Sequence, residues 1–500
     1  MDRSEILARL DDSSEEWDIL VIGGGATGLG IAVDAASRGY RTALLEQADF
    51  AEGTSSRSTK LIHGGVRYLR GGQIGMVRES LRERGRLMKN APGLVKPLAF
   101  VVPAFRWYER FFYGSGLTLY DLLAGRLGID STGHLSASAT RERIPNLTGE
   151  GLRGGTLYWD GQFDDARLAV ALARTAVAKG AAVANHVRVE GLIKEGGKVC
   201  GVVARDRIED REYRLRAKVT INATGVFTDS VRRLDEPDAT EVIQPSQGIH
   251  VVLDRSFLGG DTAIMIPSTD DGRVLFAIPW RNRVLLGTTD TADVPVELHP
   301  RPLEEEIDYL LEHAGRYLVE RPTRSDIRAT FAGLRPLVRP PRNGGKTSDI
   351  SRTHSLFVSD SGLLTVAGGK WTTYRRMAED AVDRACELAG LETRPCATGD
   401  LTLLDEPGGG DSDSLDPELP YTEADVRRAV GEEMAMTLTD VLSRRTRCTF
   451  LDVAATRRCS DRVVRLMAAE LGRDEVWIER QKTVLAEELG SEASDVPESV

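Results

Sequence analysis

Cysteine is scarce in this 500-residue chain: Cys200, Cys386, Cys396, Cys448 and Cys459 are all there are, and no two form C-x-x-C. An odd count without metal-ligand spacing argues against a disulfide framework, a zinc site or an iron–sulfur centre. It reads instead as reduced packing cysteines of a cytoplasmic protein. The seven histidines form no H-x-x-x-H pattern, so no metal site is expected. An excess of positive charge is missing too. With 65 Lys and Arg against 76 Asp and Glu the net charge is −11, and no global basic field draws nucleic acid. Long hydrophobic runs are absent, since none approaches the ~18 apolar residues that span a bilayer. Residues 1–16, MDRSEILARLDDSSEE, lack the apolar core of a signal peptide. The expectation is a chain that is soluble or lies on a membrane surface, with length for roughly two to four domains.

What is present is organised around residues 17–46, WDILVIGGGATGLGIAVDAASRGYRTALLE. The apolar run before the glycines reads as a buried parallel strand. Gly23, Gly24, Gly25 and Gly28 then let the chain turn tightly and let a pyrophosphate approach the backbone. The helix that follows offers free N–H groups and a positive dipole end. A second apolar run closes on Glu46, whose carboxylate can accept the ribose hydroxyls of an adenosine. Strand, glycines, helix and distal acid together predict dinucleotide binding, without separating FAD from NAD.

Residues 49–68, DFAEGTSSRSTKLIHGGVRY, are rich in donors and poor in packing residues, as expected of a loop beside the cofactor. Residues 105–125, FRWYERFFYGSGLTLYDLLAG, concentrate aromatics beside Arg106 and Arg110. They suit a membrane-surface or partner element, although the pattern favours a core-facing helical hairpin. A β-hairpin with its turn at Glu195-Gly196-Gly197-Lys198 is predicted, followed by a strand ending in Ala223-Thr224-Gly225. Residues 242–291 alternate short strands and turns and read as an inserted antiparallel sheet. Residues 363–374, LLTVAGGKWTTY, repeat the strand, Gly-Gly, helix-start theme. A Gly/Pro/Asp/Ser linker at 405–420 precedes four helical segments, 423–434, 438–447, 460–471 and 475–489.

Several of these pieces together resemble the FAD-dependent glycerol-3-phosphate dehydrogenases that feed a quinone (the aerobic type). They are IGGGATG at 22–28, TSSRSTKLIHGGVRYL at 54–69, INATGVFTD at 221–229, GTTDT at 287–291, GLRPL at 333–337 and GGKWTTYR at 368–375. DVLSRRTR at 440–447 with FLD at 450–452 looks like that family's helical cap. The resemblance implies an α/β protein. Its Rossmann-like FAD-binding domain would comprise 17–90, 155–235 and 333–400. An antiparallel β-sheet substrate domain (91–154 with 236–332) is inserted, and a linker at 401–420 leads to a C-terminal all-α cap domain at 421–490.

For the site, the resemblance places Arg67, Tyr68, Arg335, Arg352 and Lys370 around sn-glycerol 3-phosphate. A phosphate dianion needs converging cations, and arginine's planar fork suits it. His250 is the candidate base, with Arg335 and Lys370 beside it as catalytic residues and His63 as a rival. FAD would meet Gly23, Gly25, Ala26, Thr27, Gly28, Glu46, Thr54, Ser55, Ser56, Lys60, Leu61 and His63. Later in the chain it would meet Val187 through the backbone, Ala223, Gly225, Gly369, Lys370 and Thr372. The implied partners are dihydroxyacetone phosphate as product, a membrane quinone and a homodimer mate, with peripheral attachment on the cytoplasmic side of the cell membrane. The rival readings are an FAD oxidoreductase or oxidase of another hydroxy acid or amino acid, and a flavin-free binding protein.

Overall fold

The structure is a computed structural model that describes residues 1–12, 16–267, 269–270, 272–339, 354–405 and 412–490; the side chains of Arg67 and Arg70 are outside the described part. The chain forms two compact units, Ser4–Asp405 and, separately, Met1–Arg3 with the described part of Glu406–Val500.

In the first unit, apolar runs that are buried on both faces make a parallel sheet. Its order among the described residues is His354–Val358, Leu364–Gly368, Arg211–Asn222, Trp17–Ile22, Thr42–Leu45, Ala182–Ala184. All neighbours run parallel except the edge strand His354–Val358. The helices Ala26–Ser37, Asp165–Ala178 and Tyr374–Ala389 pack on this sheet and, through the first of them, on one another. The predicted hairpin is present: Glu195 pairs with Lys198, and Gly196 and Gly197 both take positive φ, the backbone of a two-residue turn that matches strand twist.

A second, mostly antiparallel sheet carries Ile243–Asp254 between Arg283–Gly287 and Ala329–Val338, and extends through Val95–Ala104 to Gly154–Phe163. Alternation along Ile243–Asp254 decides its two faces. Ile249, Val251 and Leu253 join a core with Ile307, Leu310 and Leu311 of the helix Glu304–Gly315. Gly248 and His250, at alternate positions of the same strand, line a cavity. Two stretches expected with the nucleotide-binding segments, 155–163 and 333–338, pair in this second sheet instead. Each finds its antiparallel partner there, 155–163 along Val95–Ala104 and 333–338 along Ile243–Asp254, and such long-range pairing leaves no local mark in sequence.

The aromatic segment is not a hairpin. It is one helix, Glu109–Ala124, with Gly114, Leu117, Tyr120 and Ala124 turned inward. In the second unit the expected segment 460–471 proves to be the end of a longer helix, Val453–Leu471, begun by Asp452, whose carboxylate accepts from Ala455 N at 2.8 Å. The segment 438–447 holds a π-helical turn, Asp440–Arg445, closed by the buried pair Arg444–Asp440 at 2.8 Å.

Candidate active site

One cavity of about 900 Å³ runs from the glycine turn to the second sheet. At one end the sequence forces close backbone contacts. Gly23 has φ +109, and a Cβ there would lie 2.6 Å from Ala223 O. A Cβ at Gly28 would lie 1.9 Å from Gly23 O, so side chains are excluded at both positions. Helix Ala26–Ser37 starts here without an acidic residue in its first turn, leaving its positive end unneutralised. Ser55 Oγ accepts from Ala26 N at 2.9 Å and ties the Ser/Thr loop to that end. Glu46 accepts from Gly24 N at 2.5 Å and from Ala48 N at 2.9 Å. Burial pushes its pKa up to about 7, against the two amide bonds and with help from Glu52 and Asp49.

At the other end stand His250, Arg335 and Lys370, all lining the cavity. His250 is buried, stacks on Phe331 with ring centroids 4.8 Å apart, and shares a 2.9 Å hydrogen bond through Nε2 with Thr59 Oγ1. Its Nδ1 has no protein partner among the described residues. Burial, then the charges of Lys60 and Arg335, hold the imidazole well below the usual histidine range, so it is neutral near pH 7. Gly287 sits opposite His250, and a Cβ there would lie 2.2 Å from the ring; only glycine admits the imidazole. Arg335 donates to Gln247 O at 3.1 Å, Thr289 O at 2.9 Å and Thr288 Oγ1 at 3.0 Å. The G-T-T-D segment thus serves to aim a guanidinium. Lys370 Nζ lies 5.4 Å from the centre of the Tyr68 ring.

Comparison with known proteins follows the same line. A family described as "FAD dependent oxidoreductase" matches residues 18–375, and one described as "C-terminal domain of alpha-glycerophosphate oxidase" matches residues 383–477. The chain is 40% identical to a probable mitochondrial glycerol-3-phosphate dehydrogenase of Caenorhabditis elegans, over 98% of this chain and 76% of that protein. It is 41% identical to the mitochondrial glycerol-3-phosphate dehydrogenase of Homo sapiens, over 93% of this chain and 72% of that one. The glycerol-3-phosphate dehydrogenase of Bacillus halodurans, solved in complex with FAD, superposes with a TM-score of 0.78 at 31% identity, covering 97% of each chain.

The chain belongs to the FAD-dependent glycerol-3-phosphate dehydrogenase family.

FAD is the cofactor of this family, and the cavity fits it: Gly23, Gly25, Ala26, Thr27, Glu46, Thr54, Ser55, Leu61 and His63 line it, as do Ala223, Gly225, Gly369, Lys370 and Thr372. Gly25 is one place where a side chain would intrude, since a Cβ would meet Ser55 Oγ at 3.0 Å. Gly28 acts from behind, as the helix residue that lets Gly23 approach.

Besides Gly28, three residues expected to touch FAD do not line the cavity. Ser56 is buried, and its carbonyl accepts from Lys60 Nζ at 2.7 Å. Lys60 is fully buried and turned to Asp165 at 2.7 Å, so its charge is neutralised inside the protein. Val187 N donates to Glu46 O at 2.7 Å, while its neighbours Arg188 and Val189 line the cavity. Of the expected substrate residues, Arg335 and Lys370 both line the cavity. Tyr68 is not among the residues that line it, although its ring centre lies 5.4 Å from Lys370 Nζ. Arg67 lies on the helix Arg67–Arg70 with its side chain outside the described part, and Arg352 falls outside the described residues altogether.

Sequence reasoning missed the residues that hold the site in place. Asp165 accepts from Ser58 N at 3.0 Å, Ser58 Oγ at 2.7 Å and Lys60 Nζ at 2.7 Å, and so fixes the Ser/Thr loop from below. Its signal was only a helix start, the Asp164-Asp165 pair before an Ala-rich run. Thr372 Oγ1 and the His63 backbone exchange hydrogen bonds at 3.2 and 3.3 Å. Trp371 Nε1 donates to Ser55 O at 2.9 Å. These bonds join motifs more than 300 residues apart in sequence.

Proposed function

We propose that this chain oxidises sn-glycerol 3-phosphate to dihydroxyacetone phosphate and passes the electrons to a membrane quinone. The observation that carries the reading is the single cavity that joins the glycine turn to His250, Arg335 and Lys370. FAD, when bound, supplies the hydride acceptor for C2 of the substrate. The remaining work falls to side chains. Arg335, already fixed by five acceptors that include the Asp290 carboxylate at 3.5 Å, presents an oriented guanidinium to the phosphate, and Lys370, which also lines the cavity, presents a second cation. Arg67, Tyr68 and Arg352 are proposed with them on the family pattern. Neutral His250 takes the C2 hydroxyl proton, while the nearby cations favour the negative charge that develops on that oxygen. The two cations favour a phosphate over a simple hydroxy acid or amino acid, which would require only one charge at this end.

The quinone acceptor draws support from relatives named as dehydrogenases. No helix of the described residues is long and apolar enough to cross a membrane. Attachment is therefore proposed to be peripheral, on the cytoplasmic side in keeping with five free cysteines.

The test is anaerobic titration of the flavin-loaded protein with sn-glycerol 3-phosphate. Bleaching of the oxidised flavin band is expected, with recovery on adding a soluble quinone. A band that stays unchanged overturns the substrate. Rapid recovery with oxygen and peroxide release, but none with quinone, overturns the acceptor. Lys370→Ala is expected to lower kcat/KM while leaving flavin content intact.

A further inference from the structure

His250 is the base proposed above, yet it lies almost wholly inside the protein, 2% exposed. Its ring stacks on Phe331 of one neighbouring strand and sits against Gly287 of the other. A base needs a lone pair that the substrate can reach. Nδ1 is enclosed, without a partner among the described residues, and Nε2 is directed at Thr59 Oγ1, 2.9 Å away. Thr59 itself is only half-buried and lines the cavity. The bond to Nε2 is its hydroxyl's one hydrogen bond among the described residues, so the oxygen keeps acceptor capacity for a molecule in the cavity.

The chain on either side of Thr59 is built to hold it still. Ser58 N and Oγ donate to Asp165 Oδ2 at 3.0 and 2.7 Å, and Lys60 Nζ donates to the same oxygen at 2.7 Å. Lys60 N donates to Ser58 Oγ at 3.0 Å, a bond that spans Thr59. Lys60 also takes φ +61, a left-handed backbone that residues with a side chain seldom adopt. Its ammonium stands 4.9 Å from the centre of the Phe331 ring, the ring on which His250 stacks. Thr59 and His250 are 191 residues apart in sequence and share one frame. Fixing three consecutive residues costs conformational entropy. What it secures is one hydroxyl between the cavity and the imidazole.

We infer that Thr59 is the proton relay between the substrate and His250. The inference rests on the oxidation proposed above. The C2 hydride leaves with its electron pair to the flavin, and the hydroxyl proton remains for this chain to place. The substrate O–H bond breaks as that proton bonds to Thr59 Oγ1. The Thr59 O–H bond breaks in turn, and its proton passes to Nε2. Threonine ends as it began, C2 becomes a carbonyl carbon, and the imidazole holds the extra proton. A neutral ring protonated on Nδ1 leaves Nε2 free to accept, as the relay requires.

The test is anaerobic stopped-flow bleaching of the full flavin-loaded protein by sn-glycerol 3-phosphate, followed across about pH 5 to 8. Thr59→Val removes the hydroxyl at nearly constant volume. It should keep flavin and slow bleaching about 10²- to 10⁴-fold. Thr59→Ser, which keeps the hydroxyl, should retain most of the rate. The acid limb set by His250 should vanish in Thr59→Val. The double variant T59V/H250Q should be no slower than the slower single one, as groups acting as a unit behave. If Thr59→Val binds no flavin, Thr59→Ala carries the same comparison. Three results overturn the relay: a wild-type rate without the hydroxyl, a slowed Thr59→Val that keeps the wild-type acid limb, or Thr59→Ser as slow as Thr59→Val. Wild-type bleaching with an unslowed His250→Gln overturns base and relay and leaves the substrate standing. A wild-type flavin that the substrate does not bleach overturns the substrate, and the relay with it.

Discussion

His250 is neutral because it is buried beside two cations, and that has a kinetic signature. Its protonation, and with it the acid limb of kcat/KM, is expected below the ordinary histidine value of 6.5. His250→Gln should keep flavin and lose about 10²- to 10⁴-fold in kcat/KM, measured by stopped-flow bleaching. Glu46 is displaced the other way, from 4.5 to about 7. A carboxyl raised on folding binds more protons folded than unfolded, so its contribution favours folding below about 4.5 and is lost as pH rises through about 7. In flavin-free protein, denaturation of wild type against Glu46→Gln should show a difference that grows in favour of the variant between pH 5 and 8. Ribose hydroxyls donating to Glu46 favour its ionised form, so FAD binding by wild type should tighten over the same range while the variant stays flat. An equal slope in both proteins removes Glu46 from the ribose.

Among the elements, the Ser/Thr loop is held by a buried ion pair in addition to its bonds to Ala26, Trp371 and Thr372. Asp165→Asn leaves the Lys60 ammonium buried without its counter-charge, a change that costs roughly 3–5 kcal/mol. Faster thermal inactivation and lost flavin are expected, and the apolar pair K60M/D165L should recover only part of either, since Ser58 N and Oγ lose their acceptor. Survival of D165N with full flavin content would show that the bonds to Ala26, Trp371 and Thr372 suffice to hold the loop. The same contrast explains what sequence could reveal. The glycine turn, Glu46, the A-T-G strand end and the G-G-K-W-T-T turn were legible because each carries its chemistry in contiguous residues. His250 was legible as the histidine on a strand of alternating pattern. Asp165, Thr59 and Phe331 were not, because each acts on a partner from a distant motif and local patterning holds no record of that pairing. Lys60 misled for the converse reason: a lysine inside a donor-rich loop looks like a ligand group until its buried acid is found.

For the molecule as a whole, a net charge of −11 surrounds a cavity end lined by Arg335 and Lys370. A dianionic substrate is drawn to a local field against the global one, and the screening length shrinks to ~10 Å at 0.1 M salt. KM for sn-glycerol 3-phosphate is expected to rise with ionic strength while kcat stays nearly constant, a split that steady-state assays read directly. The parallel sheet draws its strands from residues as far apart as Trp17 and Gly368, and Thr372 closes on His63 only when both are present. That order of assembly has a consequence for biosynthesis. The glycine turn leaves the ribosome more than 300 residues ahead of the sheet strand Leu364–Gly368 and of the clasp at Trp371 and Thr372. Flavin capture is therefore a late step, and the nascent chain must persist as an unliganded intermediate with its sheet incomplete. A chain arrested after residue 339 should carry every glycine of the first motif and hold no flavin.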